Sequence, residues 1–107
     1  MLPPVSMGVT DMYVLLTYDV ETVTREGRRR LRRVAKLCEG CGQRVQLSVF
    51  ECSVTATQLE RLIQALAKTI DPAKDSVRLY KISGRRDDMV ATLGRDNYID
   101  LDGPLIL

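Results

Sequence analysis

The order of strand-like and helix-like segments limits the fold of this chain more than any other feature. Apolar residues recur with helical spacing over about residues 24–38 and about 57–70. Three other segments, 13–19, 44–54 and 75–82, have the apolar and β-branched composition that is typical of strands. In a chain of 107 residues, this order predicts an α+β fold. The expected form is a ferredoxin-like β-α-β-β-α-β sandwich, with two helices on one face of an antiparallel sheet.

Local signals predict where some of these segments begin and end. Gly40 is expected to end the first helix, and Thr57 is expected to begin the second in a capping box with Glu60. The 44–54 segment is long enough for two short strands, with a kink or bulge near Ser48. No Asn-Gly or Asp-Gly pair marks a tight turn there, so the number of strands in this segment, one or two, remains open.

The chain is expected to form one domain that pairs with a second copy. With 45% hydrophobic residues it has enough apolar surface for a single core. We expect that domain to span residues 12–107, after a disordered extension or alternative start in residues 1–11. The sheet face without helices would stay open, so packing in a homodimer is expected to cover it. Residues 101–107 are expected to add a C-terminal strand to the partner's sheet, so that truncation after Arg95 would weaken the dimer.

The absence of histidine excludes several catalytic classes. The chain cannot form a Ser-His-Asp triad or a Cys-His pair, and it cannot be a nuclease that uses His as its base. Hydrolysis near neutral pH would need a metal-activated water or a carboxylate with a shifted pKa. No signal peptide or apolar run of membrane-spanning length is visible, which predicts a cytoplasmic protein with no membrane partner.

The three cysteines are Cys38, Cys41 and Cys52. Their odd number and the missing export signal favour reduced or buried thiols over a disulfide framework. Cys38 and Cys41 have the spacing of a zinc knuckle, but a structural zinc site usually takes four ligands and only Cys52 remains to join them. Ordinary cysteines around the end of the first helix are therefore favoured over zinc or redox chemistry.

Two acidic residues stand out because each lies in an apolar strand segment. Asp19 ends the first strand, and an acid at the rim of a sheet is placed to bind a ligand. The alternative is that Asp19 caps the turn into the first helix. Glu51 is a second acid, for which a solvent-facing strand carboxylate is favoured because exposed glutamate is common, and a position facing the site at Asp19 is the alternative.

Basic residues at helical spacing predict one charged stripe on the first helix. They are Arg25, Arg29, Arg32 and Lys36, with Arg28, Arg30 and Arg33 beside them. Few acids lie nearby, so we expect the stripe to bind phosphate backbones without reading sequence. The alternative is an ordinary solvated helix face. Arg78 and the Arg85-Arg86 pair are weaker candidates for phosphate binding.

Three segments together resemble the Cas-two family of small CRISPR-associated adaptation proteins, which partner the CRISPR integrase. They are residues 12–19, 42–52 and 75–80, and the Gln-x-Ser-Val-Phe-Glu-Cys run at 46–52 is the most specific part. The resemblance implies a homodimer in which two copies of Asp19 lie near the two-fold axis. In such a dimer Asp19 would be the catalytic residue and the ligand of Mg²⁺ or Mn²⁺ in phosphodiester hydrolysis. Ser48 and Phe50 would support this site by orienting their strand.

Two functional classes follow from the resemblance. One is a metal-dependent endonuclease, an endoribonuclease or a nuclease of duplex DNA. The other is a non-catalytic scaffold that holds duplex DNA and bridges integrase dimers in a heterotetramer or larger assembly. The family includes proteins described in both ways, so fold and motif do not choose between them. A role in spacer acquisition and antiviral defence ranks above either, and a toxin-type ribonuclease of similar fold is a more distant alternative.

Overall fold

The computed structural model describes residues 11–99. Its elements, in chain order, are β1 Met12–Asp19, α1 Arg25–Glu39, β2 Gly42–Gln46, β3 Val49–Val54, α2 Ala56–Thr69, β4 Ser76–Ile82 and α3 Arg86–Met89. The four strands form one antiparallel sheet in the order β2-β3-β1-β4. This confirms the predicted α+β ferredoxin-like sandwich. The expected extension (apart from Asp11) and the expected C-terminal strand lie outside the described residues.

Alternate side chains of the central strand β1 build the core of the sandwich. Val14, Leu16 and Tyr18 are 0%, 0% and 6% exposed, and they belong to one cluster with the apolar residues of α1 and α2. Phe50 of β3 pairs with Leu16 and completes the same layer. Because successive side chains of a strand point to opposite faces, Asp19 falls on the face away from the helices.

The long apolar segment before α2 is a hairpin of two short strands. Leu47 and Ser48 form the turn between β2 and β3, so the predicted kink near Ser48 is confirmed. The pairing of the two strands shifts register between Arg44 and Gln46, which marks a bulge. The Ser48 carbonyl accepts a hydrogen bond from the Tyr18 amide at 3.1 Å, so this turn is fastened to the end of β1.

The start of α2 differs from the prediction. Thr55, rather than Thr57, caps this helix, and Gln58, rather than Glu60, completes the capping box. The backbone amide of Gln58 donates to the Thr55 hydroxyl at 3.2 Å, and the side-chain oxygen of Gln58 accepts from the backbone amide of Thr55 at 2.9 Å. The same spacing of Thr and Glu or Gln occurs twice in this stretch, and β3 ends immediately before the first of them.

Two glycines near the start of β2 have different roles. Gly40 ends α1, as predicted, and it does so in a right-handed conformation with φ of −71°. Gly42 is needed for close approach of β2 to β3. A side-chain carbon there would overlap the Glu51 carbonyl oxygen and lie 2.6 Å from the Cys52 sulfur.

The described helices are short relative to a bilayer. The longest, α1, has 15 residues. Within residues 11–99 no helix combines the length and the apolar character needed to cross a membrane.

Candidate metal and nucleic-acid site

Asp19 lies at the carboxyl end of β1 on the open face of the sheet. Its strand neighbour Tyr18 is buried toward the helices, whereas Asp19 itself is exposed. In the sheet register Asp19 stands opposite Ser76 of β4. The Asp19 carboxylate makes no hydrogen bond or ion pair with any residue between 11 and 99, so both of its oxygens can accept a cation.

The turn from β1 into α1 is capped by other residues. Thr24 is the cap of α1, and its hydroxyl accepts from the Gly27 amide at 3.0 Å. The Glu21 carboxylate in turn accepts from the Thr24 amide at 2.6 Å and from its hydroxyl at 2.9 Å. These bonds, above all the one from the Thr24 amide, hold the pKa of Glu21 below its ordinary value. The alternative interpretation of Asp19 as the cap of this turn is therefore wrong.

A buried carboxylate, Asp75, holds the turn after Asp19 in place. Asp75 accepts from the Glu21 amide at 3.0 Å, from the Asp71 amide at 2.8 Å and from the Arg30 guanidinium at 2.7 Å. Burial alone would raise the pKa of Asp75, but the Arg30 guanidinium and the two amides outweigh it and hold the pKa below its ordinary value. Asp75 directly precedes Ser76, so this network also fixes the strand position opposite Asp19.

The same network changes the interpretation of Arg30, which we expected to add to the basic stripe. Arg30 bonds Asp75 and also reaches Glu21 at 3.3 Å, and its side chain is only 14% exposed. It is therefore a neutralised structural residue. A sequence signal did exist, because Arg30 lies four residues before the buried Val34 and thus on the buried side of the helix.

The remaining stripe residues form an exposed surface that we call the α1 basic face. It consists of Arg25, Arg29, Arg32 and Lys36, which make no ion pair with residues 11–99. Arg28, beside them, donates to the carbonyls of Thr22 and Val23 at 3.0 Å each and braces the β1–α1 loop. The α1 basic face thus presents four uncompensated charges on the helical layer of the sandwich.

Glu51 is the clearest departure from expectation at the sheet. The predicted solvent-facing carboxylate is wrong, because Glu51 is 7% exposed and forms a two-pronged ion pair with Arg86, at 2.7 and 3.3 Å. The Arg86 guanidinium also lies 3.6 Å from the centre of the Tyr98 ring. Arg86 is therefore held inside the fold, which removes it from the candidates for phosphate binding. Burial, followed by the nearby Glu51 carboxylate, raises the pKa of the adjacent Tyr13.

This ion pair fastens the segment after β4 against the open face of the sheet. Farther along, the Asn97 side chain donates to the Val45 carbonyl at 3.1 Å. The Ile99 amide donates a hydrogen bond to the side-chain oxygen of Gln43 at 2.9 Å. Part of the face that we expected to be open is thus covered by this chain's own residues, and the end of β1 that carries Asp19 lies beyond these contacts.

The two residues predicted to support the site act through the fold. Phe50 is fully buried on the helical side of the sheet, where its ring lies 6.1 Å from that of Tyr18. Ser48 lies in the hairpin turn that binds the Tyr18 amide. Both therefore touch the residue that precedes Asp19, and the Phe50 ring faces away from the Asp19 carboxylate.

The cysteines are thiols in and beside the core. Cys38 and Cys52 are buried, and Cys41 is partly exposed. Burial raises the pKa of Cys38 to about 12 and that of Cys52 to about 11, so both stay protonated near neutral pH. The prediction of buried, unpaired thiols is confirmed for these two.

Asp19 would offer a hard divalent ion a single exposed carboxylate from each chain. No group of three or more Asp, Glu, His or Cys side chains in the described part of the chain could hold a metal ion. Mg²⁺, however, commonly takes one or two carboxylates and completes its shell with water and phosphate oxygens. Asp19 suits that role because its carboxylate is exposed and unpaired among the described residues.

Comparison with known proteins identifies the family of this chain. A family model described as CRISPR associated protein Cas2 matches residues 12–90. The CRISPR-associated endoribonuclease Cas2 1 of Moorella thermoacetica is 47% identical over 96 residues, which are 90% of this chain and 100% of that protein. The CRISPR-associated endonuclease Cas2 of Halalkalibacterium halodurans is 50% identical over 95 residues, 89% of this chain and 99% of that protein.

A solved structure supports the same assignment. The crystal structure of Streptococcus pyogenes Cas2 at pH 6.5 has a TM-score of 0.71 and 52% identity, and it covers 78% of this chain and 100% of that one. Motif, fold and overall similarity therefore converge, and the resemblance seen in the sequence is confirmed: this chain belongs to the Cas2 family of CRISPR-associated proteins.

Proposed function

We propose that this chain acts in CRISPR spacer acquisition as a homodimer that binds duplex nucleic acid, bridges integrase dimers and hydrolyses phosphodiester bonds at Asp19 with Mg²⁺ or Mn²⁺. The observation that carries the hydrolytic part is the carboxylate of Asp19 at the end of β1, which is exposed and has no partner among residues 11–99. The names of two close relatives, an endoribonuclease and an endonuclease, support the same activity. The substrate is RNA or duplex DNA.

In this proposal the chain's own residues position the reaction. Asp19 would hold the ion, and the α1 basic face, on the helical layer of the sandwich, would bind the phosphate backbone of a duplex away from the scissile bond. A bound Mg²⁺ or Mn²⁺ supplies Lewis-acid polarisation of the phosphate and lowers the pKa of water. Hydrolysis joins the water oxygen to phosphorus and breaks the bond to the departing sugar oxygen, which takes up a proton. Because the chain has no histidine, that proton passes through water rather than an imidazole.

The direct test of hydrolysis is turnover of end-labelled RNA and duplex DNA by the purified protein, with and without Mg²⁺ or Mn²⁺. Metal-dependent cleavage of either substrate supports the proposal, and metal-independent cleavage contradicts it. Bridging is tested by co-sedimentation with the CRISPR integrase of the same organism. An integrase complex that contains no copy of this chain would remove that part of the proposal.

The α1 basic face gives a prediction for nucleic-acid binding. Replacing Arg29 and Arg32 with Ala is expected to weaken duplex binding about equally for unrelated sequences, because phosphate contacts carry no base information. The slope of log affinity against log salt should become shallower by about 0.9 for each phosphate that the variant no longer neutralises. Fluorescence anisotropy across a salt series measures both effects.

A matched control removes the same charge from the other helix. Arg61 and Lys68 of α2 are also exposed, and their double replacement with Ala should leave affinity and salt slope close to wild type. If the two double variants behave alike, only net charge matters and the α1 basic face is not the binding surface.

Dimerisation gives a second prediction, sharpened by the structure. Truncation after Arg95 would remove Tyr98, which stacks on Arg86 within the same chain. Truncation after Ile99 keeps that stacking and removes Asp100 together with residues 101–107, which are expected to pair with a partner's sheet. We expect this shorter deletion to raise the dimer dissociation constant in sedimentation equilibrium while leaving the melting temperature of the monomer unchanged. An unaltered dissociation constant would exclude a tail-mediated dimer.

A further inference from the structure

Arg78 lies on the same open face of the sheet as Asp19. In the pairing of β1 with β4, Arg78 stands opposite Thr17 and Ser76 stands opposite Asp19. Residues that are opposite each other in an antiparallel pair point to the same face, so Asp19 and Arg78 are diagonal neighbours. Diagonal neighbours have Cβ atoms about 7–8 Å apart, which is within reach of an arginine side chain. Both residues are exposed.

The Arg78 guanidinium is held in a defined position by Tyr80. Arg78 donates to the Tyr80 hydroxyl at 2.9 Å. Tyr80 lies two residues farther along the strand, on the side away from Ser76 and Asp19. This bond draws the guanidinium away from Asp19, and within residues 11–99 the two form no ion pair. A positive group and an unpaired carboxylate therefore coexist on one face without neutralising each other.

This arrangement suits a phosphodiester bound at Asp19. A cation held by the carboxylate would engage one non-bridging phosphate oxygen, and the planar guanidinium would be placed to engage the other. The α1 basic face cannot do this, because α1 packs on the opposite face of the sheet. Arg86, which also lies on the open face, is already paired with Glu51.

We propose that Arg78 contacts the scissile phosphate and stabilises the negative charge that develops on its non-bridging oxygens during hydrolysis, with Tyr80 as its positioning residue. The proposal rests on the proposed function of Asp19. It assigns different roles to the arginines of the two elements. Those on α1 give affinity for the duplex, whereas Arg78 on β4 acts on the reacting phosphate.

The test compares Arg78→Ala, Arg78→Lys, Tyr80→Phe and Asp19→Asn with wild type in three assays. These are single-turnover cleavage, long-duplex affinity, and Mn²⁺-dependent affinity for a dinucleotide with a phosphorothioate linkage. Arg78→Ala is expected to lower the cleavage rate about 10²–10³-fold, as for removal of one charge-stabilising donor. Long-duplex affinity should stay unchanged, because the α1 basic face supplies it. The dinucleotide is too short to reach that face, so its affinity should fall about tenfold, as for one charge-assisted hydrogen bond.

The conservative variants and a control separate chemistry from structure. Arg78→Lys should recover part of the cleavage rate, since lysine keeps the charge but not the planar fork. In single-turnover cleavage, Tyr80→Phe should lower the maximal rate more than it raises the enzyme concentration that gives half of that rate, because it releases the guanidinium without removing it. Lys81→Ala removes a positive charge from the same strand on the opposite side, and it should match wild type in all three assays.

Each contrary result points to a different failure. Unchanged dinucleotide affinity in Arg78→Ala overturns the proposal whatever the cleavage rate. Reduced dinucleotide affinity with an unchanged maximal rate leaves Arg78 as a ground-state contact and overturns its role in the transition state. Wild-type cleavage by Asp19→Asn overturns the Asp19 site and this inference together, whereas loss of cleavage in Asp19→Asn with normal Arg78→Ala overturns the inference alone.

Discussion

Asp19→Asn is expected to lower the rate of metal-dependent hydrolysis by orders of magnitude and to leave the fold intact. Asn has nearly the same size as Asp, but it lacks the negative charge that a hard divalent ion requires. The free energy of unfolding should change by less than about 0.5 kcal/mol, since Asp19 is exposed and bonds no side chain among residues 11–99. Turnover of labelled substrate, with urea unfolding in parallel, measures both quantities. A chelator added to the wild-type protein should reproduce the loss of activity.

The same variant separates an enzyme from a scaffold when cleavage and spacer integration are measured on one preparation. Asp88→Asn is a suitable control, because Asp88 is another exposed carboxylate, far along the chain in α3. We expect Asp19→Asn to lose cleavage and to retain integration, which would make the acid site dispensable for adaptation. Loss of both activities with an intact dimer would favour an essential enzyme. Full cleavage by the variant would refute the assignment of Asp19 as metal ligand and would point to a contaminating nuclease.

The parts of the fold that could be predicted are those that depend on local apolar patterning. Leu16 and Val34 repeat with their neighbours at strand and helix spacing, and both are fully buried where the pattern places them. The position of Asp19 on the sheet face away from the helices follows from the same alternation. The first residue of a helix is predicted less precisely where two capping sequences overlap. At α2 both Thr55 and Thr57 begin such a sequence, and the helix uses Thr55.

The residues that could not be predicted are charged groups whose partners are distant in sequence. Glu51 pairs with Arg86, 35 residues away, and Arg30 pairs with Asp75, 45 residues away. A charged residue is expected to be exposed unless a residue of another helix or strand pairs with it. The local sequence pattern does not show whether such a pair forms. Arg30 was therefore wrongly expected to add charge beside the stripe, whereas the four residues of the α1 basic face depend only on helical spacing.

Asp75→Ala is expected to destabilise the fold more than any of the other substitutions. It leaves the Arg30 guanidinium and the Glu21 and Asp71 amides without their shared buried acceptor. Removing one partner of a buried ion pair typically costs about 3–5 kcal/mol, and we expect the lower end because Arg30 keeps its ion pair with Glu21. Urea unfolding at neutral pH measures the decrease in stability. Glu39→Ala is the contrasting control, since its pair with Arg44 is exposed and should contribute about 0–1 kcal/mol.

The pH dependence of stability provides an independent check on the same carboxylate. The pKa of Asp75 is lower in the folded protein than in the unfolded chain. Its stabilisation is therefore complete above the unfolded value of about 3.9 and is lost as the pH falls through the folded value. Wild type should thus lose stability more steeply than Asp75→Ala in acid. The double variant Arg30→Met/Asp75→Ala should recover part of the stability that Asp75→Ala lacks at neutral pH, because it removes the guanidinium that has lost its Asp75 partner, while the Glu21 carboxylate keeps its hydrogen bonds from Thr24. Parallel acid curves for wild type and Asp75→Ala would show that the Asp75 carboxylate does not stabilise the turn behind Asp19.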